Sequence, residues 1–172
     1  MEIRDMKADI VCITETWLKT NSIKSAFQIE GYSSYFNSRS SITGGGVVLY
    51  TKYAGVQLTS EVTTNDAYNI CAISIGNGAN KLLAVAVYRA PWASCDDTES
   101  MCDELDRLII QFDNAVIVGD FNLPKLSWSD TNTTQLHGAE NVFSNIVLEL
   151  NLTQVANQAT RDNALLDLLL VS

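Results

Sequence analysis

Acidic side chains stand at the ends of, or inside, strand-like runs that are otherwise apolar. Glu15 follows Ile-Val-Cys-Ile-Thr, Asp120 follows Ala-Val-Ile-Val-Gly, and Asp167 lies within Leu-Leu-Asp-Leu-Leu-Leu-Val. Because a carboxylate taken from water without a partner costs on the order of several kcal/mol, such groups are usually paired, bound to a metal or placed in a solvated cleft. Three of them in one short chain favour an acidic, metal-dependent cleft.

An amide accompanies one of these acids. Asp120 and Asn122 are two residues apart, which puts both side chains on one face if the backbone stays extended. An acceptor and an amide on a shared face suit a site that orients a water molecule and holds a phosphate oxygen.

Each acid also has a purely structural interpretation. The segment Asp120–Pro124 could be a turn that ends a strand, since Asp, Asn and Pro are turn formers. Glu15 could cap the turn before Trp17, and Asp167 could form an ion pair with Arg161. The residues alone leave these alternatives open.

Other catalytic motifs fail on their spacing. The Gly44–Gly46 run lacks the Gly-Lys-[Ser/Thr] that follows in a P-loop, and the sequence has neither GxGxxG nor GxSxG. The one histidine, His137, precedes a helix in a polar loop and is expected at the surface. The cysteines form no CxxC pair, which indicates reduced, non-ligating thiols; they are Cys12, Cys71, Cys95 and Cys102.

Hydrophobic periodicity predicts the elements that must position these residues. Apolar or alternating runs predict strands at Asp9–Thr14, Gly31–Tyr35, Val47–Thr51, Val56–Val62, Tyr68–Ile75, Lys81–Tyr88, Ala115–Val118 and Leu165–Val171. The Asn-Gly step in residues 76–80 predicts a hairpin turn, and residues 152–163 are expected to be irregular. A period of 3.6 predicts helices over Ser94–Asp113 and near residues 138–151. Strands outnumber helices, which predicts two packed sheets flanked by helices.

Length and charge limit the class of protein. The 172 residues suit one domain, and 11 basic against 20 acidic residues give a net charge of −9. Such a chain does not bind nucleic acid by covering phosphates with Lys and Arg, whereas a bound metal reverses the local field. The sequence has no apolar stretch of roughly 18 residues and no signal-peptide layout, so we expect an intracellular protein with no membrane partner.

Five segments occur in an order that resembles a known family. Together they are similar to the endonuclease/exonuclease/phosphatase family, especially the endonuclease domain of non-LTR (LINE-type) retrotransposons. The resemblance implies one domain over residues 1–172 with an α/β (α+β) fold, a four-layer αββα sandwich of two mainly antiparallel sheets flanked by helices. The segments are ITETWL (13–18), GGGVVLY (44–50), VAVYRAP (85–91), VGDFNLPKLSW (118–128) and ATRDNALLDLLLVS (159–172).

The same resemblance implies an activity and a role for each site residue. It implies DNA nicking by phosphodiester hydrolysis with Mg²⁺, or alternatively Mn²⁺, as cofactor. Glu15 matches the metal-binding glutamate, and Tyr88 the tyrosine that contacts the scissile phosphate. Asp120 matches the aspartate that orients or deprotonates the attacking water, Asn122 the amide that binds a phosphate oxygen, and Asp167 the aspartate that orients a catalytic histidine. DNA is the implied substrate, a reverse transcriptase in a larger polyprotein the implied partner, and the nucleus the compartment if the target is genomic DNA.

Two family features have no counterpart in this sequence. The resemblance leads us to expect an initial strand with a metal- or phosphate-binding Asn and a final Ser-Asp-His segment, and His137 is out of order for the latter role. We therefore expect a domain trimmed at both ends that is weakly active or inactive as written. The alternatives are a non-catalytic remnant that acts as a binding module, and a phosphatase-like member of the superfamily.

Overall fold

The computed structural model describes residues 7–19, 24–39, 43–64, 66–78, 81–126, 128, 136–161 and 164–172. The strands found there are β1 (Ile10–Thr14), β2 (Ser33–Asn37), β3 (Val47–Thr51), β4 (Gln57–Thr64), β5 (Tyr68–Ile75), β6 (Leu82–Arg89), β7 (Asn114–Asp120), β8 (Thr153–Gln154) and β9 (Asp167–Val171). The helices are α1 (Cys95–Ile109), α2 (Ala139–Glu149) and a single 3-10 turn (Lys24–Phe27).

The strands form two sheets that pack face to face. The small sheet has the order β1-β3-β2, and the large sheet has the order β4-β5-β6-β7-β9-β8. The pairing of β6 with β7 is parallel because α1 connects these strands, and the other strand pairs are antiparallel. β1 lies over β6 and β7, while β3 lies over β5 and β6. The predicted sandwich of two mainly antiparallel sheets is confirmed.

Strand alternation divides the apolar side chains among three interfaces. One face of β5 and β6 packs against the small sheet through side chains that include Cys71, Ile73, Ala84, Ala86, Val47 and Leu49. The opposite face of the large sheet packs against α1 and α2 through side chains that include Ile70, Val85, Ile117, Leu168, Met101, Leu105, Phe121 and Phe143. The outer face of the small sheet is covered near the 3-10 turn, where the Tyr50 hydroxyl donates to the Phe27 carbonyl at 2.7 Å.

The two α-helices form one outer layer. α1 begins after Ser94, whose hydroxyl accepts from the Asp97 N–H at 3.1 Å while the Asp97 carboxylate accepts from the Ser94 N–H at 2.9 Å. This reciprocal capping fixes the start of the helix. None of the helices in the described ranges is long and apolar enough to cross a membrane.

Several element boundaries differ from the sequence prediction. β7 extends through Asp120, so this acid is the last residue of the strand, whereas the predicted strand ends at Val118. β9 begins at Asp167, so that acid starts the strand instead of lying inside it. The cause is pairing, because Tyr88 of β6 pairs with Asp120 and Asp120 pairs with Asp167. The segment expected to be irregular contains the short strand β8, and the predicted hairpin turn includes residues 79–80, which lie outside the described residues.

Candidate active site

A row of polar residues crosses the large sheet at one end. Asn69 of β5 pairs with Tyr88 of β6, Tyr88 with Asp120 of β7, and Asp120 with Asp167 of β9. Neighbouring side chains on these strands pack toward the helices, at Ile70, Val87, Ile117 and Leu168. Since side chains alternate along a strand, the row faces the small sheet.

Glu15 reaches this row from the small sheet. It follows β1 with φ +53°, a left-handed conformation. Its Oε2 accepts from the Gly45 N–H at 2.7 Å and from the Trp17 Nε1–H at 2.7 Å, and its carboxylate lies near enough to the Tyr88 hydroxyl to change the pKa of that group. The carboxylate therefore lies where the two sheets meet and does not act as a simple turn cap.

These contacts favour the ionised form of the Glu15 carboxyl group. Burial acts to raise its pKa, but the hydrogen bonds from Tyr88, Gly45 and Trp17 and the nearby charge of Arg39 outweigh it and hold the pKa below its ordinary value. Burial and the hydrogen bond to Glu15 raise the pKa of the Tyr88 hydroxyl, so Tyr88 stays protonated and can donate.

The glycine run that fails as a P-loop has another structural role. Gly44, Gly45 and Gly46 have φ of +95°, +71° and +83°. A Cβ on Gly45 would lie 2.5 Å from the Arg39 guanidinium carbon, and one on Gly46 would lie 2.5 Å from the Thr16 Oγ1. Only glycine lets the loop approach this closely, and the approach delivers the Gly45 N–H to Glu15.

A buried polar network lies beneath Glu15 and Tyr88. Arg39 is only 2% exposed, its Nε donates to the Asn69 Oδ1 at 3.0 Å, and its guanidinium carbon lies 4.9 Å from the centroid of the Tyr88 ring. The Asn69 Nδ2 donates to the Asn37 Oδ1 at 3.1 Å. Arg39, Asn69 and Asn37 are not predicted from the sequence, although Asn69 carries the same signal as the acids, a polar residue in an apolar strand.

The surroundings of Asp120 disfavour its ionised form, whereas those of Glu15 favour it. Burial, together with repulsion from Asp167 and Glu15, raises its pKa to about 6, although hydrogen bonds from Asn122 act to lower it. Two carboxylates whose pKa values are moved in opposite directions can divide the roles of proton acceptor and permanently charged ligand.

Asn122 reaches the site by a turn rather than by extended backbone. Its φ is +49°, so the assumption of an extended Asp120–Asn122 segment is wrong. The Asn122 N–H donates to the Asp120 Oδ1 at 3.1 Å, and its Nδ2 donates to the Arg89 carbonyl at 2.8 Å. The strand-ending turn and the site are therefore the same structure, since the turn is what holds the Asp120 carboxylate.

Arg89 fixes this turn from the helix side of the sheet. Its buried guanidinium donates to the Thr98 Oγ1 at 2.8 Å, to the Ala93 carbonyl at 2.7 Å and to the Asn122 carbonyl at 3.3 Å. The residue is not predicted from the sequence as a site residue, although a charged side chain in the apolar β6 run is a visible signal. It joins the start of α1 to the segment that carries Asp120.

Asp167 is exposed beside a cavity of about 350 Å³, which Val118 and Thr160 also line. The backbone N–H of Asp167 donates to the Thr160 Oγ1 at 3.1 Å. No ion pair between Asp167 and Arg161 is found among the described residues, and Arg161 forms a backbone bridge with Ala164 instead. The structural interpretation of Asp167 as one half of that pair is therefore wrong.

The acids fit a hydrated magnesium ion better than an ion enclosed by protein ligands. Mg²⁺ keeps several waters and takes one or two carboxylates together with substrate phosphate oxygens. Glu15 is a charged carboxylate at the junction of the sheets, and it lies near enough to Asp120 to raise the pKa of that acid. Over the described ranges, no group of three or more His, Cys, Asp or Glu side chains is arranged to hold a metal ion. Glu15 is therefore the residue that would hold it.

The thiols and the histidine take no part in these contacts among the site residues, although the charge of Asp167 contributes to the raised pKa of Cys12. All four cysteines are free thiols, and burial raises the pKa of Cys12 and Cys102 to about 12. His137 is exposed, as expected from the sequence.

Comparison with known families decides the membership of the chain. Residues 82–172, more than half of the chain, match the endonuclease/exonuclease/phosphatase model described as endonuclease-reverse transcriptase. The chain belongs to this family. The matched part of the chain contains Tyr88, Asp120, Asn122 and Asp167, whereas Glu15 precedes it. A search of curated proteins returns no significant match.

Solved structures share the fold of this chain. The endonuclease domain of TRAS1, a telomere-specific non-LTR retrotransposon, superposes with a TM-score of 0.67 at 16% identity, over 97% of this chain and 73% of that one. The 3'-5' exonuclease NExo from Neisseria meningitidis gives 0.67 at 17% identity, over 98% and 78%. An AP endonuclease from Archaeoglobus fulgidus gives 0.64 at 16% identity, over 98% and 77%. At these identities the likeness establishes the fold.

Proposed function

We propose that this domain is a Mg²⁺-dependent phosphodiester hydrolase that nicks DNA, the endonuclease part of a retrotransposon-type protein that also carries a reverse transcriptase. The observation that carries the proposal is the convergence of three residues from two sheets. Glu15 lies near enough to Tyr88 and to Asp120 to shift the pKa of both, and Tyr88 pairs across the sheet with Asp120. The family match supports hydrolysis, and the description of that family supports the link to a reverse transcriptase.

Asp120 is the proton acceptor in this proposal. With a pKa of about 6 it is ionised at neutral pH yet basic enough to take a proton from an attacking water. The N–H of Asn122 fixes one oxygen of the carboxylate, so the other remains for that water. Arg89 holds the turn on which Asn122 lies and thereby limits the movement of Asp120.

Tyr88 would contact the phosphate, and Glu15 would hold the metal ion that neutralises it. The protonated Tyr88 hydroxyl can turn from Glu15 to a phosphate oxygen, and Glu15 stays charged because Gly45 and Trp17 still donate to it. When bound, Mg²⁺ supplies positive charge for the oxygens of the transition state. The role of Asn122 in holding a phosphate oxygen and that of Asp167 in orienting a histidine stay predictions.

DNA is the proposed substrate. The structural neighbours include a retrotransposon endonuclease domain and a 3' phosphatase bound to a product DNA hairpin. The net charge of −9 fits a protein that approaches phosphate through a metal ion rather than through a basic surface.

Supercoiled plasmid nicking tests the activity, and metal binding tests the site separately. We expect weak nicking in Mg²⁺ or Mn²⁺ and none in EDTA. Glu15→Gln keeps an acceptor for the Gly45 N–H but loses the charge, so Mn²⁺ binding measured by calorimetry should weaken at least about 10-fold. Glu99→Gln, on the exposed face of α1, is the matched control and should bind Mn²⁺ as the parent chain does.

The two measurements separate the candidate functions. Ion binding at Glu15 without nicking would favour the non-catalytic module. Nicking that continues unchanged in EDTA, or the absence of both nicking and ion binding, would contradict the proposal. Release of phosphate from a 3'-phosphorylated oligonucleotide without plasmid nicking would favour the phosphatase-like alternative.

A further inference from the structure

Trp17 presents a large aromatic surface to solvent beside the candidate active site. We propose that its indole ring is a stacking platform for an unpaired nucleobase of the DNA. The base would lie next to the phosphate that a metal ion held by Glu15 would bind. The inference rests on the proposed function and deepens it, because it names the form of DNA that the site prefers.

The position of the indole is fixed by two hydrogen bonds. The Trp17 N–H donates to the Gly45 carbonyl at 3.0 Å, and its Nε1–H donates to the Glu15 Oε2 at 2.7 Å. The indole therefore lies in direct contact with the carboxylate that would hold the metal ion. A nucleotide whose phosphate lies at that ion has its own base, or the next one, within reach of the ring.

The packing of the fold does not explain why the Trp17 side chain is exposed. The residue is 65% exposed, although tryptophan is among the side chains that gain most from burial. Its φ is +57°, a conformation in which a bulky residue is strained. Exposed aromatic surface and backbone strain at one residue are typical of positions kept for ligand contact.

The charge of the protein favours stacking as a source of affinity. A chain with 20 acidic and 11 basic residues gains little from phosphate neutralisation. Stacking on an aromatic ring needs no cation, tolerates any base and changes affinity by about 5- to 100-fold for each base. One ring is thus enough to matter in a chain with a net charge of −9.

Stacking on a single ring selects unpaired DNA. A base exposes its face only after it leaves the duplex, and unpairing costs about as much as the stack returns. In a mismatch, a bubble or a single strand the base is already unpaired, so binding does not include the cost of unpairing. We therefore expect Trp17 to strengthen binding to unpaired DNA and to leave binding to an intact duplex nearly unchanged.

The test measures binding of a labelled oligonucleotide by fluorescence anisotropy, in Mg²⁺ and on an Asp120→Asn background that limits cleavage. The probes are an intact duplex, the same duplex with a central bubble, and the single strand. Trp17→Ala should bind the bubble and the single strand about 5- to 100-fold more weakly. The slope of log affinity against log salt should not change, because stacking releases no counterions.

Two variants separate stacking from other roles of Trp17. Trp17→Phe keeps an aromatic face and loses the N–H to Glu15, so it should bind within about 3-fold of the parent chain. Tyr53→Ala removes another exposed aromatic ring, 47% exposed and beyond the opposite end of the small sheet, and should bind as the parent does. A thermal unfolding curve for each variant shows that it is folded.

Three results would overturn the inference. They are unchanged binding by Trp17→Ala, equal weakening for duplex and bubble, and a Trp17→Phe variant as weak as Trp17→Ala. Binding does not require cleavage, so these results leave the nicking and metal-binding tests of the proposed function unaffected. Conversely, the parent chain could fail to nick DNA while Trp17→Ala weakens binding to the bubble. That result would support the stacking inference and contradict the proposed hydrolase activity.

Discussion

Replacing Asp120 by asparagine is expected to reduce nicking by a factor of about 10² to 10⁴ and, at the same time, to stabilise the fold at neutral pH. Asparagine keeps an Oδ1 acceptor for the Asn122 N–H but cannot take a proton from water. Nicking by the parent chain should rise with pH until Asp120 is ionised, near pH 6, and then level off.

The stability gain follows from the sign of the pKa shift. The pKa of Asp120 is about 6 in the folded chain against an ordinary value of 3.8, so the folded state binds more protons between these values and stability falls as pH rises through them. At pH 7 the ionised carboxylate is destabilising, and its removal should contribute about 1–2 kcal/mol after allowance for solvent screening. Urea unfolding should show the full gain above about pH 7 and none below about pH 3, one unit outside the two pKa values.

Asp113→Asn is the matched control for this prediction. It makes the same chemical change at an exposed aspartate that precedes the opposite end of β7. It should alter neither nicking nor stability. An Asp120→Asn variant that nicks at the parent rate would remove Asp120 from its assigned role, and one that is less stable at pH 7 would make Asp120 a structural residue.

Gly119→Ala is expected to destabilise the domain by at least about 3 kcal/mol. Gly119 pairs with Val87, and a Cβ at this position would lie 1.8 Å from the Val87 carbonyl oxygen. The obstacle is strand backbone in the middle of the large sheet, which cannot move without breaking the parallel pairing of β6 with β7. Urea unfolding of the variant measures the loss.

Gly31→Ala is a control that separates two effects of an added Cβ, the collision with a neighbouring strand and the strain of a positive φ. Gly31 has φ +83° and no heavy atom within 4 Å of a built Cβ, so alanine there meets strain without a clash. We expect a loss of about 1 kcal/mol. Equal losses for the two variants would show that the sheet absorbs the added carbon at Gly119, contrary to the prediction.

The fold follows from the sequence wherever burial alone decides the structure. β5 matches its predicted range, and β6 lies within one residue of it at each end, because continuous apolar runs bounded by polar residues leave little choice. The ends of β7 and β9 depend instead on cross-strand pairing at Asp120 and Asp167, which a single sequence does not display. The α-helices form where the 3.6-residue period predicts them. Helix α1 ends at Ile109, whereas the predicted helix ends at Asp113.

The site follows from the sequence only in part. Glu15, Asp120 and Asp167 are visible because a charge in an apolar run is rare, Asn122 is visible from its spacing to Asp120, and Tyr88 follows from the resemblance. Arg39 is not visible in this way, because its burial depends on the glycine loop that folds over it. The conformation of Asn122 depends on Arg89, a contact between residues 33 positions apart.

The division of the site between two sheets has a mechanical consequence. Glu15 follows a strand of the small sheet and Asp120 ends a strand of the large one, and the hydrogen bond from Asn69 to Asn37 joins the two sheets. A slip of one sheet over the other by about 1 Å would break that bond while every strand ladder stayed intact. The distance between Glu15 and Asp120 therefore depends on the apolar interface between the sheets, which contains Leu49 and Ala86.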